Sequence, residues 1–239
     1  MKKYLLFVLI AALATSPAFS QKTFNDANAE KRIVSSFHGI EVSTGITLIL
    51  TNGSEEELAV SASSAEFRDK IVTHVSNGIL RIHYETKMGA INKRNESKNL
   101  KAYVSYKTLD LLNVNTGAEV EIHGVLTATT LELDANTGGI VKGEIDINKL
   151  KVSQNTGSRI TLTGKALSME IDGDTGSKFV GESLTTSNCS ISVSTGAGVT
   201  ITVENELNAK ASTGGTIKYK GGAGIREIKT NTGGTISKI

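Results

Sequence analysis

The 239-residue sequence has no tryptophan, one proline and one cysteine. A single cysteine, Cys189, excludes an intrachain disulfide, so packing alone must hold the fold together. Cys189 alternates in phase with Ile191 and Val193, the pattern of a buried small apolar side chain rather than a reactive thiol. The one proline is Pro17, so nothing beyond it removes a backbone donor from a strand ladder. Helical periodicity is nearly absent, while β-branched residues and glycine run throughout, which predicts regular β-structure with glycine-bearing turns. The four histidines, His38, His74, His83 and His123, form no H-x-x-x-H and no Cys/His cluster, so the sequence supports no metal site. Phosphate-cradling and dinucleotide motifs are missing as well, because the glycines do not lie between a strand and a helix. The sequence therefore names no catalytic, cofactor-binding or metal-binding residue.

The N-terminal residues read as an address rather than as structure. Met1-Lys2-Lys3 is a basic start, Tyr4 to Ala14 is apolar, and Ala18-Phe19-Ser20 carries the small residues of a signal-peptidase site. The apolar run is shorter than the ~20 residues of a spanning helix. Residues 1–20 are thus expected to be a signal peptide, which places the protein in the periplasm, on the outer surface or outside the cell. No cysteine stands at the expected cleavage point to take a lipid. Without Lys2 and Lys3 the basic count falls from 26 to 24 against 24 acidic residues. A net charge near zero offers no general attraction to nucleic acid or to an anionic membrane.

What the sequence does contain is a repeat. Thr-Gly recurs at Thr116, Thr137, Thr156, Thr175, Thr195, Thr213 and Thr232, in steps of 21, 19, 19, 20, 18 and 19 residues. Before each pair runs an alternating segment, such as Leu131-Glu132-Leu133-Asp134-Ala135 or Met169-Glu170-Ile171. Shortly after each glycine comes an apolar residue: Val120, Ile140, Ile160, Phe179, Val199, Ile217, Ile236. Alternation gives each strand one apolar and one polar face, and one unit cannot bury its apolar face alone. Stacking equivalents closes a continuous core, so the expectation is an all-β parallel β-helix, or solenoid, with rungs of ~19 residues. The period is too short for a propeller blade, and Asn-Gly or Asp-Gly hairpin signals do not recur with the repeat, as an antiparallel hairpin array would need. The residue before each Thr is Asn115, Asn136, Asn155, Asp174, Ser194, Ser212 or Asn231, a column of short polar side chains read as a structural ladder between rungs.

Residues 33–110 carry a less regular version of the pattern, expected to be an N-terminal β-layer with hairpins that shares the core. It follows a flexible segment at 21–32 and precedes the solenoid at 111–239. Asn52-Gly53 and Asn77-Gly78 are hairpin signals, and Ser64 to Lys70 could form one helical turn. Lys87, Lys93, Arg94, Lys98 and Lys101 populate a basic loop, read as a solvated hairpin tip. Solenoid ends are exposed sheet edges, and no polar cap is evident near Ile239, so self-association through the ends is expected.

Phe37-Ile40-Val42, Gly78-Leu80-Ile82, the seven Thr-Gly rungs and Ile217-Tyr219-Gly221 together resemble the putative auto-transporter adhesin, head GIN domain family of secreted proteins. The resemblance spans roughly residues 33–239. It differs in using Thr-Gly for Ser-Gly and in reading Gly221-Gly222-Ala223 where the family often has a proline. It implies a β-solenoid and an adhesin-like role, and it brings no catalytic or ligand residues. An exported, non-enzymatic interaction protein is the expected function, with a glycan or an envelope or host protein as partner classes suited to polar outward faces. The alternative is a polysaccharide lyase or hydrolase on the same scaffold, for which the best residues are Glu170, Asp172 and Asp174 with Arg159 and Lys178.

Overall fold

In the computed structural model, which describes residues 26–85 and 97–239, each of the seven Thr-Gly pairs of the repeat turns a corner with both residues at positive φ. The seven threonines of the repeat lie between 43° and 50°, and the glycines after them between 68° and 76°. Thr44-Gly45 does the same at 63° and 71°. The residue after each glycine donates its N–H to the carbonyl before the threonine, as Ala118 does to Asn115 at 3.1 Å and Gly139 to Asn136 at 3.0 Å. These are the φ signs and the closing bond of a type I′ turn. Glycine tolerates the second position without cost, but a β-branched threonine in the left-handed region is an outlier. Corners are also bonded to each other, each glycine N–H donating to the threonine carbonyl of the next coil at 3.0–3.2 Å from Gly45 through Gly214.

The chain opens with β1 (Glu30–Arg32), β2 (Gly39–Val42), β3 (Thr47–Asn52), β4 (Glu57–Ser61), α1 (Ala65–Arg68), β5 (Ile71–Ser76), β6 (Ile79–Tyr84), β7 (Lys101–Tyr106) and β8 (Leu111–Val114). Five long strands follow: β9 (Glu119–Ala135), β10 (Ile140–Gln154), β11 (Arg159–Gly173), β12 (Lys178–Val193) and β13 (Gly198–Ala211). Last come β14 (Thr216–Lys220), β15 (Gly224–Thr230) and β16 (Thr235–Lys238). From β9 to β14 each strand pairs in parallel with its successor, and β15 pairs in parallel with β13 and β16 with β14, giving the stacked coils of a β-solenoid. Strands of 14–17 residues cannot run straight around such a coil, and they bend where the register slips, between Lys142 and Glu144, Thr161 and Gly164, and Gly181 and Thr185.

Spatial order departs from sequence order in the N-terminal part. β2 lies between β6 and β8, and β3 between β7 and β9, all parallel. The first coil of the chain is therefore the second in the stack, with β6 and β7 forming the outermost one. Antiparallel strands extend that end: β5 on β6, β4 on β7, and β1 on β4. The segment expected to be flexible thus contributes β1. The Asn77-Gly78 hairpin is present, at φ 53° and 74°.

Two sequence readings need correction. Asn52-Gly53 makes no hairpin, because both edges of β3 are taken by β7 and β9 and β4 must cross to the far edge of β7. The strands flanking the basic segment, β6 and β7, do not pair with each other. Lys87, Lys93 and Arg94 lie outside the described residues, as does the expected signal peptide, while Lys98 stacks its ammonium 4.5 Å from the centre of the Tyr84 ring. In the apolar column after the corners, the register places Val141, not Ile140, between Val120 and Ile160. The expected helical turn is α1, capped by the Ser64 hydroxyl accepting from Phe67 N–H.

The core is a set of such columns, with Val120, Val141, Ile160, Phe179 and Ile217 fully buried in one of them. Cys189 is buried in the column of Met169 and Leu207, and burial pushes its thiol up to about 12. One site breaks the rule. Gln154 sits between Ala135 and Gly173 in an inward column, and neither amide atom has a partner among the described residues. Ser158 and Ser177, buried just past their corners, are likewise unpartnered.

Candidate functional site: a polar trough along one face

The strand segment before each corner presents two outward columns on the same face. One is the residue before each threonine. The other lies two residues earlier and runs, in register, Arg81, Glu41, Asn113, Asp134, Ser153, Asp172, Ser192, Lys210. Across the five coils from β8 to β12 both columns hold only Asn, Asp or Ser. Short side chains in adjacent columns leave a shallow trough, an open cleft of about 580 Å³ lined by these residues. Strands stack ~4.8 Å apart, so the trough is on the order of 20 Å long. Beside it stands a column of longer charged residues, Glu132, Lys151 and Glu170.

Each corner residue is tied mainly to its own turn. The side-chain oxygens of Asn136 and Asn155 accept the next threonine N–H at 2.8 and 2.7 Å. Asp174 accepts from Thr175 N–H at 2.7 Å and also from the Ser194 hydroxyl of the next coil at 2.9 Å. The expected ladder thus works chiefly within coils, with Asp174–Ser194 as a link between them. Hydrogen bonds from Thr195, Thr175 and Ser194 hold the Asp174 carboxyl below the usual carboxylate range. Two residues away, burial and the neighbouring Glu170 push the Asp172 carboxyl up, against the opposing pull of Lys151.

The trough changes character at its ends. Lys210 and Lys229 close one. At the other, Arg81 pairs with Glu41 at 2.9 Å, and His74 and His83 meet edge to face with ring centres 6.3 Å apart. These residues and Ser43 line a second cleft of about 450 Å³. Of the remaining histidines, His38 bonds Asp110 at 2.6 Å and His123 lies 3.7 Å from Glu121. Among the sequence candidates, Asp172 and Asp174 share the trough and Glu170 stands beside it. Arg159 and Lys178 follow the corner and stack on each other in register. Among the described residues no group of three or more His, Cys, Asp or Glu is placed to hold a metal ion. Also among them, no helix is long and apolar enough to cross a membrane. Asn113, Asp134, Ser153 and Ser192 were missed as site residues, although counting two back from each corner column finds them.

The family model described as "Putative auto-transporter adhesin, head GIN domain" matches residues 36–223. The chain belongs to this family. Solved structures share the fold. A protein of Bacteroides fragilis described as a putative adhesin superposes with a TM-score of 0.75 at 19% identity, over 88% of this chain and 96% of that one. One of Parabacteroides merdae, also described as a putative adhesin, gives 0.68 at 13% identity, over 88% and 95%. One of Parabacteroides distasonis, described as a putative lipid binding protein, gives 0.68 at 18% identity, over 90% and 98%. At these identities the likeness is one of fold. No curated protein matches the chain in sequence.

Proposed function

We propose that this head GIN protein is an exported, non-enzymatic adhesin-like module that docks an extended polyhydroxylated chain, a glycan, along the polar trough. The observation that carries this reading is the unbroken run of Asn, Asp and Ser through two adjacent columns of five coils. Most alternating strand faces mix long charged side chains, which keep a ligand away from the backbone. Here short donors and acceptors repeat every ~4.8 Å on a rigid support, which suits a ligand that is itself linear and rich in hydroxyls. Export rests on the N-terminal pattern, and the family name agrees with a surface role.

The test is binding of the purified protein to neutral and acidic glycan arrays, followed by titration. Ser153→Arg with Ser192→Arg fills the trough and should weaken binding about tenfold or more. Thr161→Arg, on the segment after the corner, should leave it unchanged. Equal loss from both variants, or no ligand across the arrays, would remove the trough from consideration.

A polysaccharide-cleaving reading has one observation behind it, the opposed shifts of Asp172 and Asp174. Carboxyls driven apart in this way suit an acid and a base. The bonds that depress Asp174, however, also occupy it within the corner. Release of new chain ends from a polysaccharide, lost in Asp172→Ala, would replace binding with cleavage.

A further inference from the structure

β15 and β16 have no partner strand on their outer edges among the described residues. β15 pairs with β13 so that Ile225 lies opposite Leu207 and Ile228 opposite Ala209, both of them inward-facing core residues. The isoleucines therefore prolong two core columns, yet they are 45% and 44% exposed. A parallel strand with a bare edge and uncovered core residues is a template for pairing. Its sequence says with what. Ile225-Arg226-Glu227-Ile228 reads the same in both directions in hydropathy, with opposite charges at its centre.

We propose that this edge pairs with the same edge of a second copy, end to end about a twofold axis, with β15 antiparallel to its counterpart. Centred between Arg226 and Glu227, that register sets Ile225 against Ile228 of the partner subunit and Arg226 against Glu227 of the partner subunit, each twice. The register slip at Arg226 lets Ile225 and Ile228, three residues apart, both face inward. Directly opposed residues in an antiparallel pair point to the same side, so the isoleucines meet inside and the two cores become continuous. Arg226 and Glu227 already reach outward, to Glu206 at 3.3 Å and Lys210 at 3.7 Å, and keep those contacts at the rim. Among the described residues, the opposite end of the stack exposes no core column of this kind. There Leu58 and Val60 of β4, flanked by β1 and β7, and Ile71 of β5 are buried, so an isologous dimer forms and a head-to-tail filament does not.

Sedimentation velocity of the purified protein over a wide concentration range tests this. The expected result is a reversible monomer–dimer equilibrium that stops at two copies. Arg226→Glu places like charges opposite each other and should raise the dissociation constant about tenfold or more. Glu227→Arg should do the same. An equimolar mixture of the two variants restores both pairs and should dimerise, which neither does alone. Melting curves show whether each variant is folded. A protein monomeric at all concentrations overturns the proposal. So does growth beyond the dimer, or a mixture that associates no better than its components.

Discussion

At the outermost coil of β6 and β7, antiparallel strands β4, β5 and β1 continue the sheet, and Leu58, Val60 and Ile71 are buried. At the coil of β15 and β16, Ile225 and Ile228 occupy the equivalent role of last core residues and are nearly half exposed. The coils between are the same kind of unit, so the contrast comes from what covers the apolar face and not from the repeat. A solenoid unit is stable only through its neighbours, and the free energy of each coil should therefore fall toward the open end.

The largest expected effect tests this directly. Leu58→Ala should cost about 2–5 kcal/mol in urea unfolding, the range for a fully buried leucine. Ile228→Ala, measured at concentrations where the protein is monomeric, should cost about 1 kcal/mol or less, because much of its surface already faces water. Equal costs would erase the distinction between the ends.

Between the ends, where coverage is complete, defects should be costly. Gln154 is such a defect, an unpartnered amide in a column otherwise built from Ala, Gly and Val. Gln154→Met keeps the bulk and removes the polar atoms, and should raise stability by about 1–2 kcal/mol. A loss of stability would show that the amide has a role in the interior that its surroundings do not reveal.

These contrasts show where sequence was informative. Thr-Gly spacing and alternation reveal the coil and its core face, because both follow from local chemistry repeated many times. The helical turn at α1 was legible from its Ser64 cap. The order of the N-terminal coils was not, since nothing in β2 or β3 tells which edges β6, β7, β8 and β9 will take. The same gap made Asn52-Gly53 look like a hairpin. The trough was half legible: its corner column was seen, but its second column acquires meaning only when coils are laid in register. The positive φ of threonine was hidden, because β-branched residues rarely adopt it and nothing local announces it.

That conformation supplies a smaller test. Asparagine enters the left-handed region more easily than threonine, so Thr156→Asn should raise stability by up to about 1 kcal/mol. Thr232→Asn should gain less, because the coil at the open end contributes less to the whole. A mid-stack loss on Thr156→Asn would mean that the threonine side chains support each other enough to offset the strain.

The smallest effect concerns charge at the corners, and it again separates the middle of the stack from its open end. Asp174 accepts from its own turn and from Ser194 of the next coil, whereas the Asn231 side chain accepts from the Thr232 hydroxyl at 3.2 Å. Those bonds hold the Asp174 carboxyl below its ordinary value. A carboxyl depressed in the folded state adds stability above the unfolded value, about 3.9, and loses it as pH falls through the folded value. Asp174→Ala should therefore lower the melting temperature at pH 7, and the gap should close as pH drops below about 4. Asp172 runs the other way, since a raised carboxyl costs stability when ionised, so Asp172→Asn should stabilise slightly at pH 7. Asn231→Ala should show a smaller, pH-independent loss. A gap for Asp174→Ala that stays constant down to pH 3 would mean that the side chain acts through shape alone, leaving the corner column uncharged in effect along its whole length.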